Sequence, residues 1–325
     1  MNRALGIRLG AFLAMVLVIG AVFGLLSPQF LSQNNIAAIF RHMSADGIAG
    51  LGLTFVIVVR RFDLSFPGIA ALGAMTTGQL IALGYPLFPS ILGGITLGAA
   101  CGIINGLAIS VLMLPDIVTT IAMGSIAYGL SFIYSNGATI SDNFMESGIL
   151  DINDQKIAYL DEPIFFMLVL YVFAWIVLHR SRFGRAFYAT GENPRAALFS
   201  GVHVRFYVIA AFVLTSATAV WAGILHCAEA GQADPSAGDG FLTPAFASVY
   251  LGAALFGFAS VPATFAGTLL ISMMLNGFTL LSVPYYYSDA IISIVLISAI
   301  AFFDPRFAVI LQRIINMRSL TGAYK

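Results

Sequence analysis

Apolar stretches of about 20 residues recur along this chain, the length a helix needs to cross a ~30 Å hydrocarbon layer. Segments 7–26, 36–59, 64–83, 88–112, 116–135, 163–179, 206–227, 241–257, 263–281 and 287–303 each fit or nearly fit. The 241–257 segment is short enough to be re-entrant. Composition closes the alternative: 59% of residues are hydrophobic and 9% charged, whereas a soluble domain carries about 25% charge. The expected fold is an all-α polytopic bundle of about ten transmembrane helices, with residues 1–325 forming one transmembrane domain.

Arg3 and Arg8 precede the first apolar run. That run reaches Leu26 without an A-x-A-like cleavage site and exceeds the ~7–15 residues of a signal-peptide core, so it reads as the first span. Lys and Arg then set orientation. One side collects Arg3, Arg8, Arg60, Arg61, Arg180, Arg182, Arg185, Arg195, Arg205, Arg306, Arg313, Arg318 and Lys325. The other keeps Lys156 and a series of acids from Asp142 to Asp239, with Arg41 near the outer end of the second span. Both termini are therefore expected in the cytoplasm, and segment 180–205 is the longest internal cytoplasmic loop.

Inside the membrane, Gly94, Gly98, Gly102 and Gly106 fall on one helix face. Such a stripe lets a second backbone approach closely, and packing is the plainer reading. The stretch 103–115 (IINGLAISVLMLP) resembles 274–284 (MLNGFTLLSVP), and the two start on opposite sides of the membrane. That pattern suggests an inverted repeat, the architecture of many transporters. Asn105 and Asn276, within these stretches, either join helices or face a polar path. Asp46 lies four residues after His42 on the same face, as a structural pair or a path residue. Asp63, Asp116 and Asp289 are expected to cap helices. Tyr285, Tyr286 and Tyr287 suit an interfacial belt or the outer mouth of a sugar path.

The chain lacks the chemistry of an engine. Neither Lys156 nor Lys325 follows a glycine, so no P-loop exists to cradle ATP. No HExxH, CxxC or GxSxG occurs, and the four histidines show no metal-ligand spacing. No nucleophile–base pair suggests an intramembrane enzyme, and Cys101 and Cys227 read as core residues. A formal net charge of +0 implies no acidic partner such as a nucleic acid. Energy for uphill transport would have to enter from another subunit.

The segment 183–201, FGRAFYATGENPRAALFSG, offers the point of contact. Asn193 is a good N-cap, Pro194 fits the first helical position, and Gly201 suits the stop. The enclosed helix, about Pro194 to Ser200, is too short to stand alone in water. Ala196 and Ala197 make part of it slim, suited to a groove on a soluble partner, with Arg185 and Arg195 available for ion pairs. A linker helix lying on lipid headgroups is the other reading.

Here GRAFYATGENPRAALFSGV resembles the coupling loop of ribose-type monosaccharide ABC importer permeases, G-R-x-x-x-A-x-G-x-N-x-x-A-A-x-x-S-G-[IV]. Gly184, Arg185, Ala189, Gly191, Asn193, Ala196, Ala197, Ser200, Gly201 and Val202 match. FDLSFPGIAALGAM (62–75) and GQADPSAGDGFLTPAFASVYLGA (231–253) are similar to two further family stretches. Phe62, Pro67, Phe241-Leu242-Thr243 and the glycine-poor FGFASVPAT depart from the pattern.

The resemblance implies a permease subunit in the bacterial inner membrane. Its partners would be a second permease subunit, the same chain or a different one, a cytoplasmic ATPase binding ATP and Mg, and a periplasmic sugar-binding protein; the chain itself would hold no cofactor. Coupling would fall to Arg185, Glu192, Asn193, Arg195, Ala196, Ala197, Ser200 and Gly201. A permease for branched-chain amino acids or another small solute, and an ion-driven secondary transporter, are the competing expectations.

Overall fold

The computed structural model describes residues 2–157 and 159–303. Arg306, Arg313, Arg318 and Lys325, counted above with the cytoplasmic charges, lie outside the described residues, as do the side chains of Arg3 and Tyr285. In chain order the helices are α1 (Asn2–Leu26), α2 (Gln33–Val58), α3 (Phe66–Ala82), α4 (Leu87–Ser110), α5 (Asp116–Ile133), the short α6 (Phe144–Ser147) and α7 (Asp151–Asp154), and α8 (Glu162–Trp175). A π-helical turn, Ile176–Arg180, follows, then α9 (Arg182–Glu192), α10 (Pro194–Phe199), α11 (Val204–Ala230), α12 (Leu242–Phe256), α13 (Val261–Leu280) and α14 (Tyr285–Phe303). Among the described residues the sheet content is one two-stranded hairpin, in which Lys156–Ile157 pairs antiparallel with Leu160–Asp161.

Each of the ten expected segments is helical. Among the described residues six helices are long and apolar enough to cross a membrane: Gly6–Leu26, Leu87–Ser110, Asp116–Ile133, Glu162–Arg180, Val204–Ala230 and Val261–Leu280. Phe66–Ala82, Leu242–Phe256 and Tyr286–Ala301 are apolar but shorter. Helix α2 is 26 residues long and dilutes its hydropathy with Arg41, His42 and Asp46. Local chemistry sets several starts. The Ser32 and Ser260 hydroxyls accept from the N–H groups of Asn35 and Ala263, and prolines occupy the first turns of α3, α8, α10 and α13.

The packing repeats itself. Helices α2 to α5 and α11 to α14 follow one plan: a long helix, a non-helical segment, a short helix, then two more. The neighbours correspond too. Helix α11 packs on α3 and α4, and α2 packs on α12 and α13; α3 contacts α4 and α5, and α12 contacts α13 and α14. The long helices cross each other antiparallel, with His42 near the start of α2 against Glu229 near the end of α11 at 3.5 Å. At the crossing, Thr215 Oγ1 donates to the Gly52 carbonyl at 2.8 Å. The inverted repeat suggested by the Asn105 and Asn276 stretches is thus present in the architecture, with α4 and α13 as counterparts.

A second signature marks the repeat. The segment between α2 and α3 holds Asp63-Leu64-Ser65, and that between α11 and α12 holds Asp234-Pro235-Ser236. Asp63 Oδ1 accepts from Ser65 N at 2.8 Å and Ser65 Oγ at 2.5 Å. Asp234 Oδ1 accepts from Ser236 N at 2.7 Å and Ser236 Oγ at 2.6 Å. The two segments approach each other: a Cβ on Gly238 would collide with the Pro67 carbonyl, and the Phe66 and Phe246 rings lie 6.2 Å apart. Helices α3 and α12, at 17 and 15 residues, rise only about 25 and 22 Å because each follows such a segment.

The glycine stripe of α4 is a packing surface. A Cβ at Gly98 would stand 2.5 Å from Val220 Cγ2, one at Gly102 2.6 Å from the Phe212 carbonyl oxygen, and one at Gly106 2.6 Å from Ile209 Cα. All three contacts belong to α11, so these glycines let the two backbones meet.

Several expectations need correction. His42 pairs with Glu229, because α11 brings that carboxylate to the same end, rather than with Asp46. Asp116 does not cap α5; Pro115 occupies the cap position and Asp116 Oδ2 accepts from Phe62 N–H at 3.0 Å. Asp289 lies inside α14, which already starts at Tyr285 just after Pro284, and is exposed.

Candidate functional site

The segment between the halves, 181–203, holds two helices where the sequence suggested one. Ser181 starts α9: its hydroxyl accepts from Phe183 N at 3.0 Å and Gly184 N at 3.4 Å. Gly184 permits the tight return, since a Cβ there would strike the Leu178 carbonyl. Gly184, Ala186, Phe187, Thr190 and Gly191 form the buried face of α9, while Arg182, Arg185 and Glu192 are exposed.

Three contacts tie α9 to the bundle. Phe187 sits edge-on between Phe55 of α2, at 5.3 Å, and Tyr207 of α11, at 5.1 Å. Gly191 lies against the end of α2, where a Cβ would meet the Val58 carbonyl. The Tyr188 hydroxyl donates to the Ala259 carbonyl at 3.0 Å, in the link between α12 and α13. Burial pushes the Tyr188 phenol up to about 12, so it stays a neutral donor at ordinary pH. One short helix therefore grips both halves of the repeat. Sequence reasoning missed Phe187 and Tyr188; the 3.6-residue recurrence of the buried positions was the signal available.

Helix α10 behaves as its sequence suggests at both ends. Asn193 Oδ1 accepts from Ala196 N at 3.0 Å, and Pro194 opens the helix. Gly201 has φ +82°. Val202 N–H bonds Ala197 O at 2.9 Å and Gly201 N–H bonds Leu198 O at 3.0 Å, a Schellman stop. The helix ends at Phe199, with Ser200 as its cap. The two alanines differ: Ala197 is 5% exposed and faces the protein, while Ala196 is exposed. Arg195, Ser200 and Gly201 are also exposed, and Phe199 stands 88% exposed.

Arg8 donates to the Phe256 carbonyl, at the end of α12 next to the Tyr188 contact. Arg8, Arg60, Arg61 and the arginines of 180–205 thus share one end of the bundle. At the other end Arg41 Nε and Nη2 reach Asp161 Oδ2 at 3.1 and 2.7 Å, and Lys156 Nζ lies 3.7 Å from Asp161 Oδ1.

The four candidate path residues are not brought into one site. Asn105, in α4 at the arginine-bearing end, is fully buried and donates to Ser65 Oγ at 2.8 Å. Asn276, at the other end of the bundle, exchanges hydrogen bonds with Asn35 at 2.8 and 3.1 Å. Both join the C-terminal part of one helix to the start of an antiparallel neighbour. Asp46 is half-buried in α2 one turn beyond His42. Tyr285 begins α14, and its side chain lies outside the described set. Among the described residues no group of His, Cys, Asp and Glu is placed to hold a metal ion.

Comparison with known proteins adds the family. Residues 35–300 match the model described as branched-chain amino acid transport system / permease component. The chain is 32% identical over 304 residues to the D-allose transport system permease protein AlsC of Escherichia coli (strain K12), covering 90% of each chain. It is 30% identical over 295 residues to the ribose import permease protein RbsC of Bacillus subtilis (strain 168), covering 90% of this chain and 91% of that one. To the fructose import permease protein FrcC of Rhizobium meliloti it is 29% identical over 298 residues, covering 88% and 83%. No solved structure matches the chain.

Proposed function

The chain belongs to the branched-chain amino acid transport system permease-component family, and from that premise we propose that it is the membrane-spanning subunit of an ATP-driven monosaccharide importer in the bacterial inner membrane. Relatives covering nearly the whole chain carry D-allose, ribose and fructose in their names, which supports a monosaccharide over a branched-chain amino acid. The arginine-bearing end faces the cytoplasm by the positive-inside rule, both termini included. A second permease subunit, identical or not, encloses the path with it, a sugar-binding protein delivers substrate outside, and ATP and Mg reside on a cytoplasmic ATPase.

The observation that carries the coupling role is Phe199, 88% exposed on a two-turn helix whose neighbour α9 holds both halves. An aromatic anchor of that kind is what a groove on a partner takes up. Arg185, Glu192, Arg195, Ala196, Ser200 and Gly201 surround it; Asn193 caps the helix and Ala197 seats it. When the ATPase closes, α10 is displaced, α9 passes the displacement to α2, α11 and the α12–α13 link, and the bundle changes the side to which its path opens. Asp46 lines that path near its outer end.

The test is uptake into vesicles holding the permease, the ATPase and the binding protein, with pentoses, hexoses and polyols as substrates. Phe199→Ala is expected to cost about 2 kcal/mol of ATPase binding, and Ala196→Arg to abolish stimulated ATP hydrolysis while the chain stays folded. Uptake that continues without the ATPase and collapses with an ion gradient would falsify the proposal.

A further inference from the structure

Beside α10 lies an open pocket of about 760 Å³ bounded by the end of α4, the α4–α5 link and the start of α11. Its rim carries Arg61, Arg195, His203 and Arg205, and no Asp or Glu lines it. None of the three arginines forms an ion pair with a described residue. The nearby Asp116 is already engaged by the Phe62 N–H. The floor is apolar and includes Met113, 75% exposed, in the α4–α5 link, and Ile209, near the start of the membrane-crossing α11. Guanidinium groups thus stand at the edge of the bilayer above a hydrocarbon-compatible floor.

We propose that this pocket holds the headgroup of an anionic phospholipid from the adjacent leaflet. A phosphodiester satisfies what the rim lacks: it accepts forked hydrogen bonds from arginine and balances the concentrated positive charge. Its acyl chains continue onto the apolar floor, which a free phosphate or an acidic protein loop leaves uncovered. Basic pockets between helix ends on the charged side of a membrane protein are the setting in which such headgroups bind. Arg195 links the pocket to α10, since Pro194, Arg195 and Leu198 border the pocket, and Phe199, four residues after Arg195, lies along the neighbouring edge of the same helix. A bound lipid therefore steadies the short helix along the edge next to its docking aromatic. The assignment depends neither on the transported solute nor on the ATPase.

The full chain, purified in detergent, is titrated with phosphatidylglycerol or phosphatidylcholine, and bound lipid is counted by native mass spectrometry. Wild-type protein is expected to retain phosphatidylglycerol in preference. Arg61→Gln, Arg195→Gln and Arg205→Gln should each weaken that binding about fivefold, and the triple change about a hundredfold. Phosphatidylcholine retention should not move, and Arg41→Gln at the opposite end should have no effect. The triple Arg→Lys variant keeps the charges and should recover most of the binding; with the single variants it guards against loss of fold, which gel filtration monitors. Unchanged phosphatidylglycerol binding in the triple Gln variant overturns the assignment. So does an equal loss of phosphatidylcholine. Displacement by inorganic phosphate at matching concentration makes this a free-anion site, and lost ATPase association with intact lipid binding makes it a protein contact; either result also overturns it.

Discussion

Asp63-Leu64-Ser65 and Asp234-Pro235-Ser236 make the same turn, with the carboxylate accepting from the serine two residues on through both N–H and hydroxyl. Their surroundings differ. Asp63 and Ser65 are fully buried, and Ser65 Oγ also accepts from Asn105. Asp234 is half-buried and Ser236 exposed, with the Pro235 carbonyl taking a 3.3 Å bond from Ser131. The turn is a property of Asp-x-Ser spacing; its burial is a property of what packs over it. One half has used the turn to lock α3 to α4, and the other has left it open at the acidic end. The helix seats differ in a parallel way. Where α4 meets α11 the glycines lie on α4 and admit backbone, whereas where α13 meets α2 they lie on α2, and Gly50 faces the Thr264 methyl at an ordinary 3.6 Å.

The helix seats give the largest expected contrast. Gly102→Ala forces α4 and α11 apart and should cost about 3 kcal/mol, read as a lower midpoint of thermal unfolding in detergent. Gly50→Ala finds room and gains helix propensity, so its effect should lie within about 1 kcal/mol of zero. Equal losses at the two would show that the seats are equivalent. Next, Asp63→Ala strands buried donors on Ser65 and should cost about 2–3 kcal/mol, against under about 1 for Asp234→Ala, where water substitutes. A larger loss at Asp234 reverses the assignment of anchor and open turn. Tyr188→Phe removes a single bond to the second half and should cost about 1 kcal/mol of stability. It should lower transport more than unfolding, because α9 then holds only the first half and α11; transport unchanged in vesicles argues that the α12–α13 link is not driven by α9. The smallest expected effect is the Asn35–Asn276 pair, for which a double-mutant cycle should return about 0.6 kcal/mol. A coupling near zero would show that the two amides touch without holding α13 to α2.

Much of this was legible in the residues because membrane spans advertise themselves by length and absence of charge. The glycine stripe and the caps at Asn193 and Gly201 are local and read directly. Helix α9 shows its two sides in the recurrence of Ala186, Phe187, Thr190 and Gly191 against exposed Arg182 and Arg185, but what it grips, in α2, α11 and the α12–α13 link, lies far off in sequence. The repeat was visible in the Asn105 and Asn276 stretches, and equally in the two Asp-x-Ser triplets, which are short enough to pass unnoticed. The pairing of His42 with Glu229 and the choice of Ala197 over Ala196 as the inward alanine depend on helices far apart in sequence. No periodicity within one segment contains that information. Asp116 and Asp289 failed as caps for a related reason: a proline just before each helix had already taken the role of opening it.

Because α2 and α11 cross antiparallel and each carries an upside-down version of the other's escort, a rigid tilt about their crossing at Gly52 and Thr215 spreads the helices on one face of the bilayer while gathering them on the other. Under the proposed transport role, the two positions of such a seesaw would be of similar construction, and the work of swapping them would be the small difference between near-equals, not the cost of dismantling a core.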